Sequence, residues 1–259
     1  MANAAASNIF NLNTGDPMTN ILQNFTFKTA VLRASQLLRG YGLTKTMAVA
    51  AAKIDDQYLK LFDRKYNIAT SGHVELCDTS FDPSKLSRAT AYGPVNGWAF
   101  RGLLQELNLP KTCHFVDLGS GLGRPCIIAA DYGFERVTGV ELAFELHTTA
   151  LENVNQSNLP PAKKGAIHLI HGDVLEYCDR TDDDVFFIFR AFSLDFYDVV
   201  RTKLAARAAS RKKTLTIIYT ERLGKVQGPE VEQFRADPRV REVMRQDRWG
   251  QNFFVYECG

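Results

Sequence analysis

The sequence lacks paired cysteines, long apolar runs and an excess of charge of either sign. Its five cysteines (Cys77, Cys113, Cys126, Cys178 and Cys258) are odd in number, and no two form a C-x-x-C motif. This argues against a disulfide framework and for reduced thiols. No apolar run approaches the roughly 20 residues of a membrane-spanning helix. The first 27 residues contain no Lys or Arg, unlike the basic start of a signal peptide. We therefore expect a cytoplasmic protein.

The composition fits one folded domain with an extension. A chain of 259 residues with 45% hydrophobic content can bury a full core, and its net charge of +2 is too small to indicate nucleic-acid binding. Residues 1–20 lack periodicity and are expected to be a flexible terminus. Two helical patterns predict a helical extension over 21–60. Residues 61–93 are irregular, and residues 94–259 read as the main domain.

Apolar runs alternate regularly with helical patterns after Pro94, which is expected to open a helix. The pattern predicts a parallel α/β sheet. The predicted strands are 113–117, 136–141, 166–171, 185–190 and 214–220, with helices at 122–132, 143–157 and 195–208. Two more strand-like runs, Arg239–Gln246 and Asn252–Glu257, predict an antiparallel hairpin at the end of the sheet.

A glycine-rich turn follows the first predicted strand. Residues 114–124 read HFVDLGSGLGR, with glycine at every second position of the turn. Glycine permits positive φ and a close approach of a ligand to the backbone. Glu141 ends the next strand on the order of 20 residues later, where a carboxylate can bind a ribose diol. The pattern predicts a site for an adenosine-containing cofactor.

Two common nucleotide sites are excluded by residues that are missing. A dinucleotide fingerprint needs a third glycine three residues after the second, and the two possible registers place Arg124 or Cys126 there. No G-x-x-x-x-G-K-[ST] motif is present, which excludes a P-loop.

The remaining pattern, V-D-L-G-S-G-x-G, resembles the first motif of class I S-adenosylmethionine-dependent methyltransferases. The resemblance implies a Rossmann-like, mostly parallel seven-stranded sheet with a C-terminal antiparallel hairpin over 94–259. It also implies S-adenosyl-L-methionine as cofactor. The residues it implies at the methionine portion are Asp117, Gly119, Ser120, Gly121 and Gly123. Glu141 and Leu142 are implied at the ribose and adenine, and Asp173 and Val174 at the adenine. As a strand-end acid, Glu141 is expected to matter for cofactor binding and little for stability.

Other segments are similar to narrower families. Residues 62–72 (FDRKYNIATSG) resemble a group of bacterial class I methyltransferases. Residues 91–94 (AYGP), the glycine turn, 139–141 and 172–173 resemble the catalytic domain of Dot1-type histone-lysine methyltransferases. This resemblance implies a protein lysine as methyl acceptor. Where Dot1-type enzymes end the fourth strand with Asn-Asn-Phe, this chain has Arg190, Ala191 and Phe192.

The acceptor side has fewer signals. The fourth strand lacks the [Asn/Asp]-Pro-Pro-aromatic motif of enzymes that methylate amide or base nitrogens, which disfavours nucleic acid as methyl acceptor. A lysine acceptor must be neutral, and an aromatic channel would lower its pKa. Tyr92 and Phe192 are the candidate acceptor-pocket residues, with Tyr219 a further aromatic candidate. No Asp, Glu or His set has metal-ligand spacing, so no metal is expected.

The apolar residues of 62–92 predict a lid over the strand ends rather than a linker. Tyr66 and Thr70 of this segment, together with Arg190, are further candidate cofactor-binding residues.

The sequence leaves three functions open. They are a protein lysine methyltransferase, a methyltransferase acting on a small metabolite, and a cofactor-binding or regulatory protein that has lost its acceptor site. The basic stretches 28–53 and 201–213 are either solvated helix faces or a docking surface for an acidic partner.

Overall fold

The computed structural model describes residues 56–75, 91–189, 192–222 and 229–259, all within one compact unit, Asp55–Gly259. The predicted segment 1–20, most of the extension 21–60 and the basic stretch 28–53 lie outside these residues. In chain order the elements are α1 (56–66), α2 (Gly97–Leu107), β1 (His114–Leu118), α3 (Arg124–Tyr132), β2 (Arg136–Glu141), α4 (Phe144–Gln156), α5 (Pro161–Gly165), β3 (Ile167–His171), α6 (Val174–Cys178), β4 (Val185–Phe189), α7 (Leu194–Arg211), β5 (Leu215–Arg222), α8 (Pro229–Ala236), β6 (Val240–Arg248) and β7 (Gln251–Cys258).

The strands form one seven-stranded sheet in the order β3-β2-β1-β4-β5-β7-β6. The first five strands are parallel, and β7 pairs antiparallel with both β5 and β6. The predicted fold class, including the C-terminal hairpin, is therefore confirmed. Parallel strands covered on both faces read as continuous apolar runs, as β4 (VFFIF) does.

Two apolar clusters cover the two faces of the sheet. One contains Phe100, Phe115 and Val255, and the other contains Val116, Tyr219 and Phe254. Alternate residues of a strand point to opposite faces, so odd-numbered and even-numbered residues of β5, or of β7, face different clusters. The carboxyl ends of the five parallel strands meet at one edge of this sheet, which we call the ligand edge because open α/β sheets bind ligands there.

Helix α2 begins at Gly97 and not at Pro94, which corrects the prediction. The Asn96 side chain accepts hydrogen bonds from the backbone N–H groups of Trp98 and Ala99, so Asn96 is the N-cap. Asn96 also joins α2 to the hairpin, because its N–H donates to Gln251 Oε1 at 2.8 Å and its Nδ2 donates to the Trp249 carbonyl. This fixes the amino end of β7 at the ligand edge.

Helix α1 extends across the predicted boundary between the helical extension and the lid. Phe62 is fully buried, and its ring stacks on Tyr66 and meets Trp98 edge-on. Gly97 leaves room for Phe62, since a Cβ there would lie 2.5 Å from the ring. The start of the predicted lid is thus part of the core.

Four cysteines of the described residues are free, as expected (Cys113, Cys126, Cys178 and Cys258). Within the same residues, none of the helices has the length and apolarity to cross a membrane.

Candidate active site

The glycine turn lies at the ligand edge, between β1 and α3. Gly119, Gly121 and Gly123 all have positive φ, at 83°, 51° and 83°. The N–H groups of Gly119 and Ser120 both donate to the carbonyl of Val140, at 2.9 and 3.0 Å. The turn is therefore held against the end of β2, in a conformation that only glycine adopts readily.

Glu141 connects the end of β2 to this turn. Its Oε2 accepts from Gly121 N–H and its Oε1 from Ala143 N–H, each at 2.8 Å. The side chain is 8% exposed, and burial raises its pKa while the backbone N–H groups act to lower it. Each carboxylate oxygen has a second lone pair, so Glu141 can still accept hydrogen bonds from a ligand.

Asp117 is the second buried acid of the site. It lies on β1 beside Gly139 of β2 and is 1% exposed. Burial, and then the nearby Glu141 carboxylate, hold the pKa of Asp117 well above its usual range. A cationic group bound here would stabilise the ionised form.

Gly139 allows the turn, α3 and β3 to pack together beside these acids. A Cβ at Gly139 would lie 2.7 Å from Leu169, 2.8 Å from Cys126 Sγ and 2.9 Å from Ser120 Oγ. Cys126 is fully buried and its pKa is raised by burial, which fits a packing residue rather than a nucleophile.

The third strand brings its end to the same place. Gly172 N–H donates to the Glu141 carbonyl at 2.9 Å. Asp173 is the N-cap of α6 and accepts from Leu175 N–H, and the following Val174 is 4% exposed. Leu142 is partly buried. The structure thus gathers Glu141, Leu142, Asp173 and Val174 where β2 and β3 end, and Glu141 joins this group to the glycine turn.

Tyr92 covers the turn from the upstream side. A Cβ at Gly121 would collide with the Tyr92 ring. The Tyr92 hydroxyl donates to the Thr70 carbonyl at 2.8 Å, and the residue forms an isolated bridge with Val74. Burial raises the pKa of this hydroxyl. The predicted acceptor-pocket residue Tyr92 therefore contacts the turn itself.

Arg124 forms a buried polar cluster that the sequence reading missed. The side chain is 1% exposed, with its Nη2 2.8 Å from Asp63 Oδ1 and its Nε 2.6 Å from Thr70 Oγ1. Its Nη1 donates to the Val95 carbonyl at 3.0 Å. Asp63 also accepts from the Thr70 hydroxyl and from the N–H groups of Thr70 and Ser71. The sequence signal for this cluster is an arginine that stands directly after the last glycine of the turn and before Pro125.

This cluster shows which predicted upstream residues reach the site. The Thr70 hydroxyl is fully buried and bound to Asp63 and Arg124, so Thr70 supports Tyr92 through its carbonyl. Tyr66 is not brought to the turn: its hydroxyl donates to Asp131 at 2.6 Å, near the far end of α3. At 1.5 Å rise per residue, that is roughly 12 Å along the helix from Gly123.

The downstream aromatic candidates lie in the core. Phe192 is 8% exposed and packs against Phe196 and Tyr197, with ring centroids 4.8 and 5.5 Å away. Tyr219 is fully buried and meets Tyr197 edge-on. The structure therefore does not place Tyr92, Phe192 and Tyr219 in one channel. Arg190 lies outside the described residues.

A group of possible metal ligands lies at the opposite edge of the sheet. Donor atoms of His114, Asp182 and Asp183 come within 4.8 Å of one another. However, the Arg136 guanidinium pairs with both carboxylates, so a cation already occupies the position between them.

Most basic side chains of the stretch 201–213 contact acceptors of their own domain. Arg201 pairs with Asp198 and Asp237, and Lys203 pairs with Asp179. Arg207 donates to the Thr181 carbonyl, and Arg211 and Lys213 both pair with Asp184. Five of the six basic side chains in this stretch therefore have partners within their own domain.

Comparison with protein families gives a match in the region of the glycine turn. The family model "Histone methylation protein DOT1" matches residues 82–182, which is less than half of the chain. The search of curated proteins found no match. The matched region contains Tyr92, the glycine turn, Glu141 and Asp173, and it confirms the resemblance to Dot1-type enzymes.

Solved structures with a similar fold are distant in sequence. An RNA methyltransferase from Salinibacter ruber with S-adenosyl-L-homocysteine has 19% identity and a TM-score of 0.47, covering 64% of this chain and 93% of its own. A ribosomal protein L11 methylase from Lactobacillus delbrueckii subsp. bulgaricus has 18% identity and a TM-score of 0.48, covering 69% and 83%. A magnesium protoporphyrin IX methyltransferase from Synechocystis PCC 6803 with bound S-adenosylmethionine has 14% identity and a TM-score of 0.49, covering 65% and 86%. These likenesses are too distant to indicate the acceptor of this chain.

The sheet order, the glycine turn with its strand-end acids and the family match define a class of enzyme. The chain is an S-adenosylmethionine-dependent methyltransferase with the class I fold.

Proposed function

We propose that this protein transfers a methyl group from S-adenosylmethionine to the side-chain amine of a protein lysine. The observation that supports this acceptor is the match of residues 82–182 to the histone-methylation family. That region includes Tyr92, which packs directly on the glycine turn.

The residues of the turn fit the cofactor chemically. Asp117 is a buried carboxylate beside the turn, suited to the ammonium of the methionine portion. Gly119, Ser120, Gly121 and Gly123 would hold the backbone of that portion. The two ribose hydroxyls would donate to Glu141, whose carboxylate faces the turn.

The adenine end has its own candidate residues. Asp173 would accept from the adenine amino group, and Leu142 and Val174 would flank the ring. All three lie next to Glu141, where β2 and β3 end side by side. When bound, the cofactor supplies an electrophilic methyl group on a sulfonium.

The protein contributes orientation and exclusion of water rather than a general base. The acceptor nitrogen must arrive with a free lone pair, so the lysine must be neutral. A low-dielectric surrounding lowers the pKa of a lysine. Tyr92 provides aromatic surface at the turn, and Phe192 provides aromatic surface where the chain leaves β4.

Labelled S-adenosylmethionine tests the proposal. The protein is incubated with labelled cofactor and a fractionated lysate, and labelled proteins are hydrolysed and examined for methyl-lysine. We expect label in protein as methyl-lysine. Label confined to RNA or small molecules would refute the lysine acceptor, and failure to bind S-adenosylhomocysteine in calorimetry would refute the whole assignment.

A glycine pair supplies the matched control. Gly121→Ala meets the Tyr92 ring and has φ of 51°, whereas a Cβ at Gly165 has nothing within 4 Å. We expect Gly121→Ala to lose labelling and Gly165→Ala to retain it.

A further inference from the structure

A pair of buried polar residues ends two neighbouring strands at the ligand edge. Glu221 of β5 is 2% exposed and stands directly opposite Asn252 of β7, which is 6% exposed. The preceding part of β5 (LTIIYT) and the following part of β7 (FFVYEC) are mainly apolar. Burying a side-chain amide costs free energy unless its oxygen is hydrogen-bonded, so the surroundings of Asn252 decide what this pair can do.

Both side chains face the same side of the sheet. Leu215, Ile217 and Tyr219 of β5 share one apolar cluster with Phe254 and Tyr256 of β7. By strand alternation, Glu221 and Asn252 continue this face toward the ligand edge. Phe192, the predicted acceptor-pocket aromatic, belongs to the same cluster.

The strand register puts the pair level with the glycine turn. Asp117 of β1 is beside Phe187 of β4, which is beside Ile218 of β5. Glu221 is three residues beyond Ile218, as Ser120 is three residues beyond Asp117. Two strand spacings separate β1 from β5, which is roughly 10 Å. The pair therefore lies across β4 from the turn, on the side away from β2 and β3.

Asn252 differs from its polar neighbours Thr220 and Gln251 in one respect. Gln251 Oε1 accepts from Asn96 N–H, and the Thr220 hydroxyl donates to the Asn252 carbonyl. Asn252 Oδ1, by contrast, is buried and has no hydrogen-bond partner in the described part of the chain. An acceptor atom held in this way beside a carboxylate suits a ligand that brings N–H donors.

We propose that Glu221 and Asn252 bind the nitrogen of an amine acceptor. This inference rests on the proposed function. Asn252 Oδ1 and the Glu221 carboxylate would accept N–H hydrogen bonds from the amine while the lone pair of the amine nitrogen faces the methyl group. As the new N–C bond forms, the C–S bond breaks with its electron pair going to sulfur, and the nitrogen becomes positively charged. A carboxylate beside it stabilises that charge.

Two matched cofactor analogues test the proposal without knowledge of the natural acceptor. Both replace the sulfonium by nitrogen, one with an aminoethyl arm and one with a propyl arm in place of the methyl. Calorimetry compares their affinities, together with that of S-adenosylhomocysteine, for wild type, Glu221→Gln, Asn252→Leu and Gln251→Ala.

We expect wild type to prefer the amine arm by about tenfold or more, the range for hydrogen bonds to a charged group. Glu221→Gln and Asn252→Leu should reduce this preference, with unchanged affinity for S-adenosylhomocysteine. Gln251→Ala should keep the preference and lower Tm, because it leaves Asn96 N–H without its acceptor.

Asn252→Leu separates binding from structure. Removing a buried oxygen that lacks a partner should leave Tm unchanged or raise it, whereas a structural asparagine would lower it. Equal affinity for the two arms in wild type, or an unchanged preference in both variants, would overturn the inference. If S-adenosylhomocysteine itself fails to bind wild type, the proposed function fails instead.

Discussion

At the scale of single residues, Glu141 has two roles where one was expected. It is proposed as a ligand-binding acid, and its carboxylate also accepts from the N–H groups of Gly121 and Ala143. The expectation that its loss would leave stability unchanged is therefore corrected by the structure. The reason is burial: a strand-end acid that binds two buried backbone donors is part of the core.

We accordingly expect Glu141→Ala to affect both properties. Each backbone donor left without an acceptor costs about 1–3 kcal/mol, so the free energy of unfolding should fall by at least about 2 kcal/mol. Affinity for S-adenosylhomocysteine should fall by about 1.5–3 kcal/mol when ligand hydrogen bonds to the charged group are lost. Urea unfolding and calorimetry measure the two effects. Glu152→Ala, on the exposed side of α4, should change neither.

Asp117 gives a prediction about pH. Its native pKa lies above the value of about 3.9 for an unfolded Asp. At a pH between the unfolded and the native pKa of Asp117, the native state holds a proton that the unfolded state has lost. The free energy of unfolding of the ligand-free protein should therefore fall as pH rises through this interval.

Asp117→Asn should make the free energy of unfolding decrease less steeply with pH. It should also lower the affinity for S-adenosylhomocysteine, because the ammonium of that ligand loses its counter-ion. Unfolding curves at several pH values measure the first effect and calorimetry the second. Glu141 also has a raised pKa and should leave a residual slope. An identical pH dependence in wild type and variant would assign the effect to another group.

At the scale of elements, α1 and α3 are joined through the buried pair Asp63–Arg124. Removing one partner of a buried ion pair leaves an uncompensated charge and costs about 3–5 kcal/mol. We expect Asp63→Asn and Arg124→Met each to lower the free energy of unfolding by about that amount, and the double variant to lose less than the sum. The exposed pair Lys60–Asp56 is the control, since Lys60→Met should cost less than about 1 kcal/mol. Additive losses in the buried pair would show that the two side chains are not coupled.

The strands and most long helices could be predicted from the sequence because apolar period and turn residues are local signals. Helices α5 and α6, with five residues each, are too short to show a period. The start of α2 was misplaced because Pro94 is a plausible first-turn residue, while the actual cap, Asn96, is also held by the distant Gln251. The Asn96–Gln251 contact joins residues that are far apart in sequence, so no local sequence pattern predicts it.

The same distinction applies to the site. The turn, Glu141 and Asp173 form a linear motif, and the structure gathers them as expected. The local pattern identifies Arg124 only as a position where a dinucleotide fingerprint would need glycine, because its partners Asp63 and Thr70 lie far upstream. The sequence places Tyr66 with Thr70 in one segment, yet Tyr66 is the last residue of helix α1 and its hydroxyl contacts Asp131.

At the scale of the whole molecule, the segment 62–92 is divided between core and site. Phe62, Tyr66 and Ile68 are buried in the main core, whereas Val74 and Tyr92 pack with Leu122 beside the glycine turn. The lid hypothesis therefore applies to the second group only. The Tyr92 hydroxyl and the Thr70 carbonyl connect this group to the Asp63–Arg124 pair.

Hydrogen exchange with and without S-adenosylhomocysteine tests this division. Residues 58–68 should exchange slowly in both states, because their helix is already packed into the core. Exchange should slow on ligand addition at 119–123 and 141–143, and also at 70–74 and 92, because ordering of the turn restrains the Tyr92 ring that lies on Gly121. Tyr92→Ala should abolish the ligand response at 70–74 while leaving that at 141–143. If wild type responds only at 119–123 and 141–143, residues 70–74 and 92 are a fixed scaffold, and Tyr92 does not close over the bound cofactor.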